Sequence, residues 1–198
     1  MNLYKTVICI GTSTGGPGAL ERVLTRLPEG FPAPLFIVQH MPRTFTKALA
    51  ARLDSLSKIK VKEGEDEEQV EAGTAYVAQG GQHMKVAQTR SGVVIKIDHP
   101  NSGKGHCPSV DELFKSVAAL KDYKKVAVIM TGMGSDGTAG LRLLKAAGNT
   151  LAIAESEISS VVFGMPRAAG ATGMVDEVVH VDHIAEHLMK IVMPTRRS

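Results

Sequence analysis

The sequence predicts an α/β fold in three layers, α/β/α, with a mainly parallel, doubly wound sheet and an antiparallel hairpin insert. Two observations predict this fold. Short runs rich in Val and Ile alternate with segments of helical periodicity, and this alternation is typical of parallel strands covered by helices on both faces. It is interrupted at residues 74–98, where short strand-like runs are separated by Gly-Gly and Ser-Gly turns. Such turns favour an antiparallel hairpin or meander.

Each predicted element has the periodicity of its type. Strands are predicted at residues 5–10, 34–39, 125–130 and 151–154, and helices at residues 19–27, 45–56, 139–148, 166–171 and 183–191. A chain of 198 residues with 43% hydrophobic residues is long enough to bury one core. We therefore expect residues 1–198 to form one domain.

Composition and charge exclude several classes of protein. The formal charge is only +3, and the basic residues are scattered, whereas nucleic-acid binding usually needs a clustered basic stripe. The first eleven residues contain only a short apolar run, so they predict neither a signal peptide nor membrane insertion. Cys9 and Cys107 lack the spacing of a disulfide framework or a zinc site. We expect a cytoplasmic protein with no nucleic-acid partner.

A glycine-rich turn follows the first predicted strand and contains Ser13. The turn reads GTSTGG from Gly11 to Gly16 and has neither the Gly-Lys-Ser/Thr nor the Gly-x-Gly-x-x-Gly pattern, so it is a weak nucleotide signal. A plain tight connection is one interpretation. The other is a nucleophilic serine, which requires a base to take its proton and a third group to orient that base.

A histidine and a carboxylate occupy the positions that such partners need. His40 ends the second predicted strand, and Asp136 follows the strand at residues 125–130. The carboxyl ends of parallel strands meet at one edge of a sheet, so both side chains are expected near Ser13. The order Ser, His, Asp differs from that of known hydrolase folds, but triads are defined by geometry. Structural roles for all three residues are the alternative.

Other polar patterns give weaker signals. His183, Glu186 and His187 match a zinc pattern, but no third ligand follows, so an exposed helix face is expected. The acidic run at residues 63–68 lacks the alternation of a calcium loop and predicts a solvated loop. Cys107 follows His106, and ordinary packing is expected there because adjacent side chains rarely face one another. We expect neither a metal site nor a cofactor.

Six blocks spread over nearly the whole chain carry a resemblance to a known family. They are IGTSTGGPGAL (10–20), VQHMP (38–42), YVAQGGQHMKV (76–86), HCPSVDELF (106–114), VIMTGMGSDGTAGL (128–141) and SVVFGMPRAA (160–169). In this order they resemble the catalytic domain of CheB, the chemotaxis protein-glutamate methylesterase.

The resemblance implies a function and a role for each site residue. Ser13 would be the nucleophile, His40 the general base and acid, and Asp136 the residue that orients His40. The Met133 backbone N–H and groups near Thr14 would stabilise the oxyanion. The implied reaction is hydrolysis of γ-glutamyl methyl esters on methyl-accepting chemotaxis receptors, often with deamidation of receptor glutamines, and no cofactor is required.

The chain departs from the family pattern in places that affect substrate contacts. Cys107 replaces an arginine, and Glu155 and Ser156 replace glutamine and aspartate. The family's regulated form also carries a receiver domain. This domain covers the active site until the chemotaxis kinase phosphorylates an aspartate of the receiver domain. Since this sequence contains no receiver domain, we expect constitutive activity, with a separate receiver domain or the kinase as a further partner.

Two alternatives to this function are a methylesterase or deamidase of another pathway and a catalytically silent receptor-binding module. Substrate profiling distinguishes the first from a chemotaxis enzyme. The second is disfavoured because a binding module has no need of Ser13, His40 and Asp136 together.

Overall fold

The computed structural model describes residues 4–98 and 106–193. The strands are β1 (Thr6–Thr12), β2 (Leu35–Gln39), β3 (Lys60–Glu63), β4 (Thr74–Val77), β5 (His83–Thr89), β6 (Gly92–Asp98), β7 (Lys124–Ile129), β8 (Thr150–Glu155) and β9 (Glu177–Val179). The helices are α1 (Gly16–Leu24), α2 (Arg43–Leu56), α3 (Val110–Ala118), α4 (Thr138–Ala146), α5 (Met165–Gly170) and α6 (Val181–Val192).

A seven-stranded parallel sheet lies at the centre of the fold, with the strand order β3-β4-β2-β1-β7-β8-β9. Strands β5 and β6 form a separate antiparallel hairpin. Helices α1, α2 and α6 pack on one face, and α3, α4, α5 and the hairpin pack on the other. The alternating side chains of β1 show why both faces are apolar, because Ile8 and Ile10 enter one cluster while Val7 and Cys9 enter the other.

The chain order places three strand ends side by side. From β1 the chain continues to β2 on one side, whereas β7 pairs with β1 on the other side. Strands β1 and β7 therefore form the switch point of the doubly wound sheet, and in such sheets the crevice at the carboxyl ends is where ligands bind. The segments that follow β2, β1 and β7 meet at this crevice.

The predicted three-layer fold is confirmed, with differences in detail. Residues 74–77, expected within the insert, form β4 of the main sheet, because all four are buried on both faces like the other central strands. The hairpin itself is β5 and β6. Helix α3 and the short edge strands β3 and β9 were not predicted, and Glu63 of the acidic run is the last residue of β3 rather than part of a loop.

No helix within residues 4–98 and 106–193 is long and apolar enough to cross a membrane.

Two adjacent leucines in α4 provide a test of the packing. Leu144 is fully buried between α4 and the sheet, whereas Leu143 is 47% exposed. Leu144→Ala is expected to lower the free energy of unfolding by about 2–5 kcal/mol, because it leaves a cavity. Leu143→Ala is the control and should change it by less than about 0.5 kcal/mol. Urea denaturation measures both, and equal midpoints would contradict the observed packing.

Candidate active site

Ser13, His40 and Asp136 lie at the same edge of the sheet. Ser13 directly follows β1, His40 directly follows β2, and Asp136 lies in the loop between β7 and α4. Backbone hydrogen bonds continue past the strand ends, since Ser13 N donates to Thr131 O at 2.9 Å and His40 N donates to Thr12 O at 3.1 Å. The backbones of Ser13 and His40 are thus hydrogen-bonded to neighbouring strand segments, although both residues lie beyond the strand ends.

His40 and Asp136 form a buried pair. The Nε2–Oδ2 distance is 2.7 Å, and the two side chains are only 8% and 10% exposed. Because the carboxylate accepts a hydrogen bond, Nε2 carries the hydrogen and Nδ1 has the free lone pair. Nδ1 is buried and has no hydrogen-bond partner among the described residues. In the serine protease template the carboxylate contacts the other nitrogen, so here the ring presents Nδ1 as its available base.

Helix α3 holds the Asp136 carboxylate with its N-terminus. Oδ1 accepts from the Ser109 hydroxyl at 3.0 Å and from Asp111 N at 2.9 Å, and Oδ2 accepts from Val110 N at 2.8 Å. Helix N-termini leave N–H groups unpaired and carry a positive partial charge, so they favour a carboxylate. Ser109 is also the N-cap of α3, accepting from Glu112 N.

These hydrogen bonds keep Asp136 ionised. Burial by itself raises the pKa of this carboxyl, but the hydrogen bonds from the His40 side chain and from the Asp111 and Val110 backbones outweigh burial and lower the pKa to about 2. Asp136 is therefore a carboxylate throughout the neutral range, which is the state that can orient an imidazole.

Ser13 is half-buried at the start of the turn. Its hydroxyl makes no hydrogen bond to His40 or to any other residue in the described ranges, so the structure joins His40 to Asp136 but leaves Ser13 unbonded. Hydrogen bonds of this kind often form only when substrate binds. Gly132 packs directly against the serine, and a Cβ there would lie 2.8 Å from Ser13 Cβ and 3.0 Å from Ser13 N.

Thr14 follows Ser13, and Met133 follows Gly132, which packs against Ser13; both side chains are exposed. Within the described residues, neither backbone N–H donates a hydrogen bond. The Thr14 carbonyl accepts from the Thr131 hydroxyl at 2.9 Å, which holds the turn against the end of β7. Thr14 also lies just before α1, where the helix contributes positive partial charge. Two free donors at this edge suit an anionic oxygen.

Several residues around the site were missed by the sequence analysis. Gln39 donates from its side-chain amide to the carbonyls of Ser13 and His40. Ser109 could have been found, because Ser109 and Glu112 have the spacing of a capping box. Gln39 has no such local pattern, since its partner Ser13 lies 26 residues away.

His106 and Cys107 lie beside His40. The rings of His106 and His40 stack with a centroid distance of 4.2 Å and an angle of 13°. Cys107 is half-buried, and His40, His106 and Cys107 line a cavity of about 310 Å³. Burial, together with the charge of Asp98, raises the pKa of the Cys107 thiol, so this thiol is not activated. The stacking of His106 was not expected.

Glu155, one of the departures from the family pattern, is completely buried at the end of β8. Its carboxylate accepts from Thr131 N at 2.8 Å and from the Ser159 hydroxyl at 2.9 Å. The Ser156 hydroxyl contacts the Ser159 hydroxyl at 3.2 Å. Both residues support the loop next to the site. A cleft of about 670 Å³ opens beside this loop, lined by Met133, Glu157, Phe163, Arg167 and neighbouring small residues.

The zinc-like pattern on α6 forms no site. His187 Nδ1 lies 2.7 Å from the Glu177 carboxylate, and Glu186 pairs with Lys190. His183 is largely exposed. In the part of the chain that the structure describes, no group of three His, Cys, Asp or Glu side chains could hold a metal ion.

A parallel α/β sheet with a serine, a buried histidine–carboxylate pair and free N–H donors at one edge has the groups that a serine hydrolase needs. Comparisons with known proteins show which family within this class the chain matches. The family model described as CheB methylesterase matches residues 8–188. The chain belongs to the CheB methylesterase family.

Individual relatives agree with this family. The protein-glutamate methylesterase/protein-glutamine glutaminase of Halalkalibacterium halodurans is 55% identical over 186 residues, which cover 94% of this chain and 54% of that protein. The Bacillus subtilis protein of the same name is 50% identical, covering 97% of this chain and 54% of that protein. The chain thus spans about half the length of these curated relatives.

A solved structure agrees as well. The crystal structure of the Thermotoga maritima CheB methylesterase catalytic domain has a TM-score of 0.90 and 41% sequence identity to this chain, covering 94% of this chain and 98% of that one.

The close contact at Gly132 predicts a penalty for any side chain there. Gly132→Ala is expected to lower the free energy of unfolding by about 1–3 kcal/mol, because the new Cβ would collide with the Met165 sulfur and would press on the Cβ and backbone N of Ser13. Gly18→Ala in α1 is the control, since a Cβ there meets nothing within 4 Å and alanine favours a helix. Chemical denaturation measures both, and equal stability of Gly132→Ala and the wild type would rule out the close approach.

The lowered pKa of Asp136 predicts a dependence of stability on pH. Because this pKa is about 2 in the folded chain and about 3.9 for an aspartate in an unfolded chain, ionisation stabilises the folded state above pH ~4, by about 2 kcal/mol. This stabilisation is lost as the pH falls towards 2. Urea unfolding between pH 5 and pH 2 should therefore show a steeper loss for the wild type than for Asp136→Asn. Parallel curves would exclude a lowered pKa.

Proposed function

We propose that the chain is a serine esterase that hydrolyses γ-glutamyl methyl esters on methyl-accepting chemotaxis receptors, releasing glutamate and methanol. The observation that carries this proposal is the His40–Asp136 pair, whose Nδ1 has no hydrogen-bond partner among the described residues, at the sheet edge that also carries Ser13, in a member of the CheB methylesterase family. The names of the relatives that the chain matches support the same substrate chemistry.

Acylation uses the three residues in sequence. The Ser13 hydroxyl oxygen attacks the ester carbonyl carbon while its proton moves to His40 Nδ1, and Asp136 stabilises the imidazolium that forms. When the tetrahedral intermediate collapses, the bond to the methoxy oxygen breaks and His40 returns the proton to it. Methanol leaves, and the glutamyl group stays on Ser13 as an ester.

Deacylation repeats the cycle with water. His40 Nδ1 takes a proton from the attacking water, and the Ser13 oxygen leaves with that proton, which regenerates the enzyme and the receptor glutamate. Deamidation of a receptor glutamine follows the same steps with ammonia in place of methanol. The double name of the relatives supports this second activity.

The oxyanion of each tetrahedral intermediate needs donors. We assign this role to the Met133 backbone N–H and to the group at Thr14, because both N–H groups lack partners within the described residues, Thr14 follows Ser13, and Met133 follows Gly132, which packs against Ser13. One oxyanion donor commonly contributes about 3–4 kcal/mol, a factor of roughly 10²–10³ in rate.

The substrate is a side chain on a protein, so the binding site has to be open. The cleft beside Met133 is open and contains an apolar wall with Phe163 and one cation, Arg167. We propose that the receptor segment next to the ester lies in this cleft.

Partners and location follow from the proposed substrate. We propose that the chain acts on methyl-accepting receptors in the cytoplasm. Both cysteines of the chain are free, which is compatible with a reducing compartment.

The test is methanol release from receptor membranes that carry labelled methyl groups. The wild-type chain is expected to release methanol, whereas Ser13→Ala should reduce the rate by up to roughly 10⁶-fold, because the triad acts as a unit. The control is Ser55→Ala, which removes an exposed hydroxyl on α2 that bonds only to Arg52 O, and it should leave the rate unchanged.

Each negative outcome of this experiment would contradict one part of the proposal. Equal rates for the wild type and Ser13→Ala would eliminate Ser13 as the nucleophile. No release by either protein, on membranes that a known methylesterase demethylates, would contradict the receptor substrate and favour another ester or a silent binding module.

A further inference from the structure

The side chain of Gln39 joins the two residues on which the proposed mechanism depends. Gln39 is the last residue of β2 and is 2% exposed. Its amide Nε2 donates to Ser13 O at 2.9 Å and to His40 O at 3.1 Å. One amide group thus uses both of its hydrogens to hold the backbones of the proposed nucleophile and the proposed base.

The Gln39 amide lies where the regular pairing of β1 and β2 ends. The last paired residues are Thr12 and Gln39, and the backbone bond from His40 N to Thr12 O follows them. Beyond this point Ser13 turns into α1 and His40 continues towards α2. The Gln39 amide therefore connects the two segments one residue beyond the last strand pair, at Ser13 and His40. These are the two residues whose side chains have to meet in the proposed mechanism.

The other end of the amide shows that packing alone does not account for Gln39. Its Oε1 is buried and has no hydrogen-bond partner among the described residues. An unpaired buried acceptor is unfavourable for folding. An apolar side chain of the same length would fill the same space and would bury no unpaired acceptor. The two donated bonds are therefore the contribution that an apolar residue cannot replace.

The start of α1 accommodates this amide. A Cβ on Gly16 would collide with Gln39 Oε1 and would lie 2.5 Å from the Thr12 hydroxyl oxygen. The absence of a side chain at Gly16 therefore lets the Gln39 side chain reach underneath the turn that carries Ser13.

From these contacts we infer that Gln39 is a positioning residue that sets the distance between the Ser13 hydroxyl and His40 Nδ1 by holding the carbonyls of both residues. The inference rests on the proposed function of Ser13 and His40. Gln39 touches neither substrate nor a reacting atom, and it acts through the backbone. Because a displacement of about 1 Å can cost about 100-fold in rate, loss of the two hydrogen bonds should affect the chemical step far more than substrate binding.

The experiment compares Gln39→Met with Gln69→Met in the full chain. Methionine has nearly the length of glutamine and removes both donors and the unpaired acceptor. Gln69 is the matched control, because its Nε2 also donates to a backbone carbonyl, Val93 O at 3.1 Å, next to the hairpin. Urea denaturation of both variants verifies that they are folded.

Two rates are measured for each protein. The first is methanol release from methyl-labelled receptor membranes, resolved into kcat and KM. The second is the rate at which phenylmethanesulfonyl fluoride modifies Ser13, forming a sulfonyl ester with loss of fluoride, followed by mass spectrometry as a function of pH. Ser13→Ala identifies the labelled position. This second rate requires an activated serine but no receptor.

Gln39→Met is expected to lower kcat and the labelling rate by about 10- to 100-fold with little change in KM. The increase of the labelling rate with pH, which a histidine base produces, should also become shallower. Gln69→Met should behave as the wild type. A Gln39→Met protein with wild-type kcat, labelling rate and pH profile would overturn the inference.

A second variant covers the case in which Gln39→Met does not fold. Gln39→Leu is smaller, donates no hydrogen bond and places no ionisable group in the core, so it is expected to show the same loss of kcat and labelling. Wild-type rates for this variant would equally overturn the inference.

The two readouts also separate this inference from the proposed function. If the wild type shows rapid Ser13 labelling but no methanol release, the proposed substrate is wrong, and the labelling rates of the Gln39 variants still decide the positioning role. If the wild type releases methanol and the Gln39 variants match it in both assays, the inference alone fails.

Discussion

The candidate site depends on how the fold holds one buried carboxylate. Asp136 accepts four hydrogen bonds, from His40, Ser109, Val110 N and Asp111 N. Without these donors burial would favour the neutral acid, which could not orient the imidazole. The His40 side chain and the N-terminus of α3 together keep Asp136 ionised. Because this carboxylate accepts from Nε2, the hydrogen of the imidazole lies on that nitrogen, and Nδ1 has no partner among the described residues.

The same region contains polar atoms that an ordinary core would not retain. His40 Nδ1 and Gln39 Oε1 are both buried without hydrogen-bond partners among the described residues, and each such group is unfavourable for folding. They lie next to a turn that fits only because Gly16 and Gly132 have no side chains. Close backbone approach and incompletely paired polar groups are characteristic of sites in which geometry for a reaction is maintained at some loss of stability.

Family membership and site geometry are independent observations, and both support the same candidate active site. The CheB methylesterase model matches residues 8–188, which include Ser13, His40 and Asp136. The geometry adds what a sequence match does not contain, namely the contact of Asp136 with Nε2 instead of Nδ1 and the buried support of Thr131 by Glu155. Glu155 departs from the family pattern but lies beneath the site and not in the cleft, so it affects the loop and leaves the reacting groups in place.

Local sequence patterns were enough to predict the α/β class, most of the central strands and the placement of Ser13, His40 and Asp136 after the ends of strands, because periodicity and strand ends are local properties. Tertiary structure alone decided that β4 joins the main sheet, that His106 stacks on His40, and that α3 binds Asp136. Each of these depends on segments that are distant in the sequence and meet only when helices pack on the sheet. Patterns of neighbouring residues do not record such contacts, so Gln39 became visible only in the folded chain.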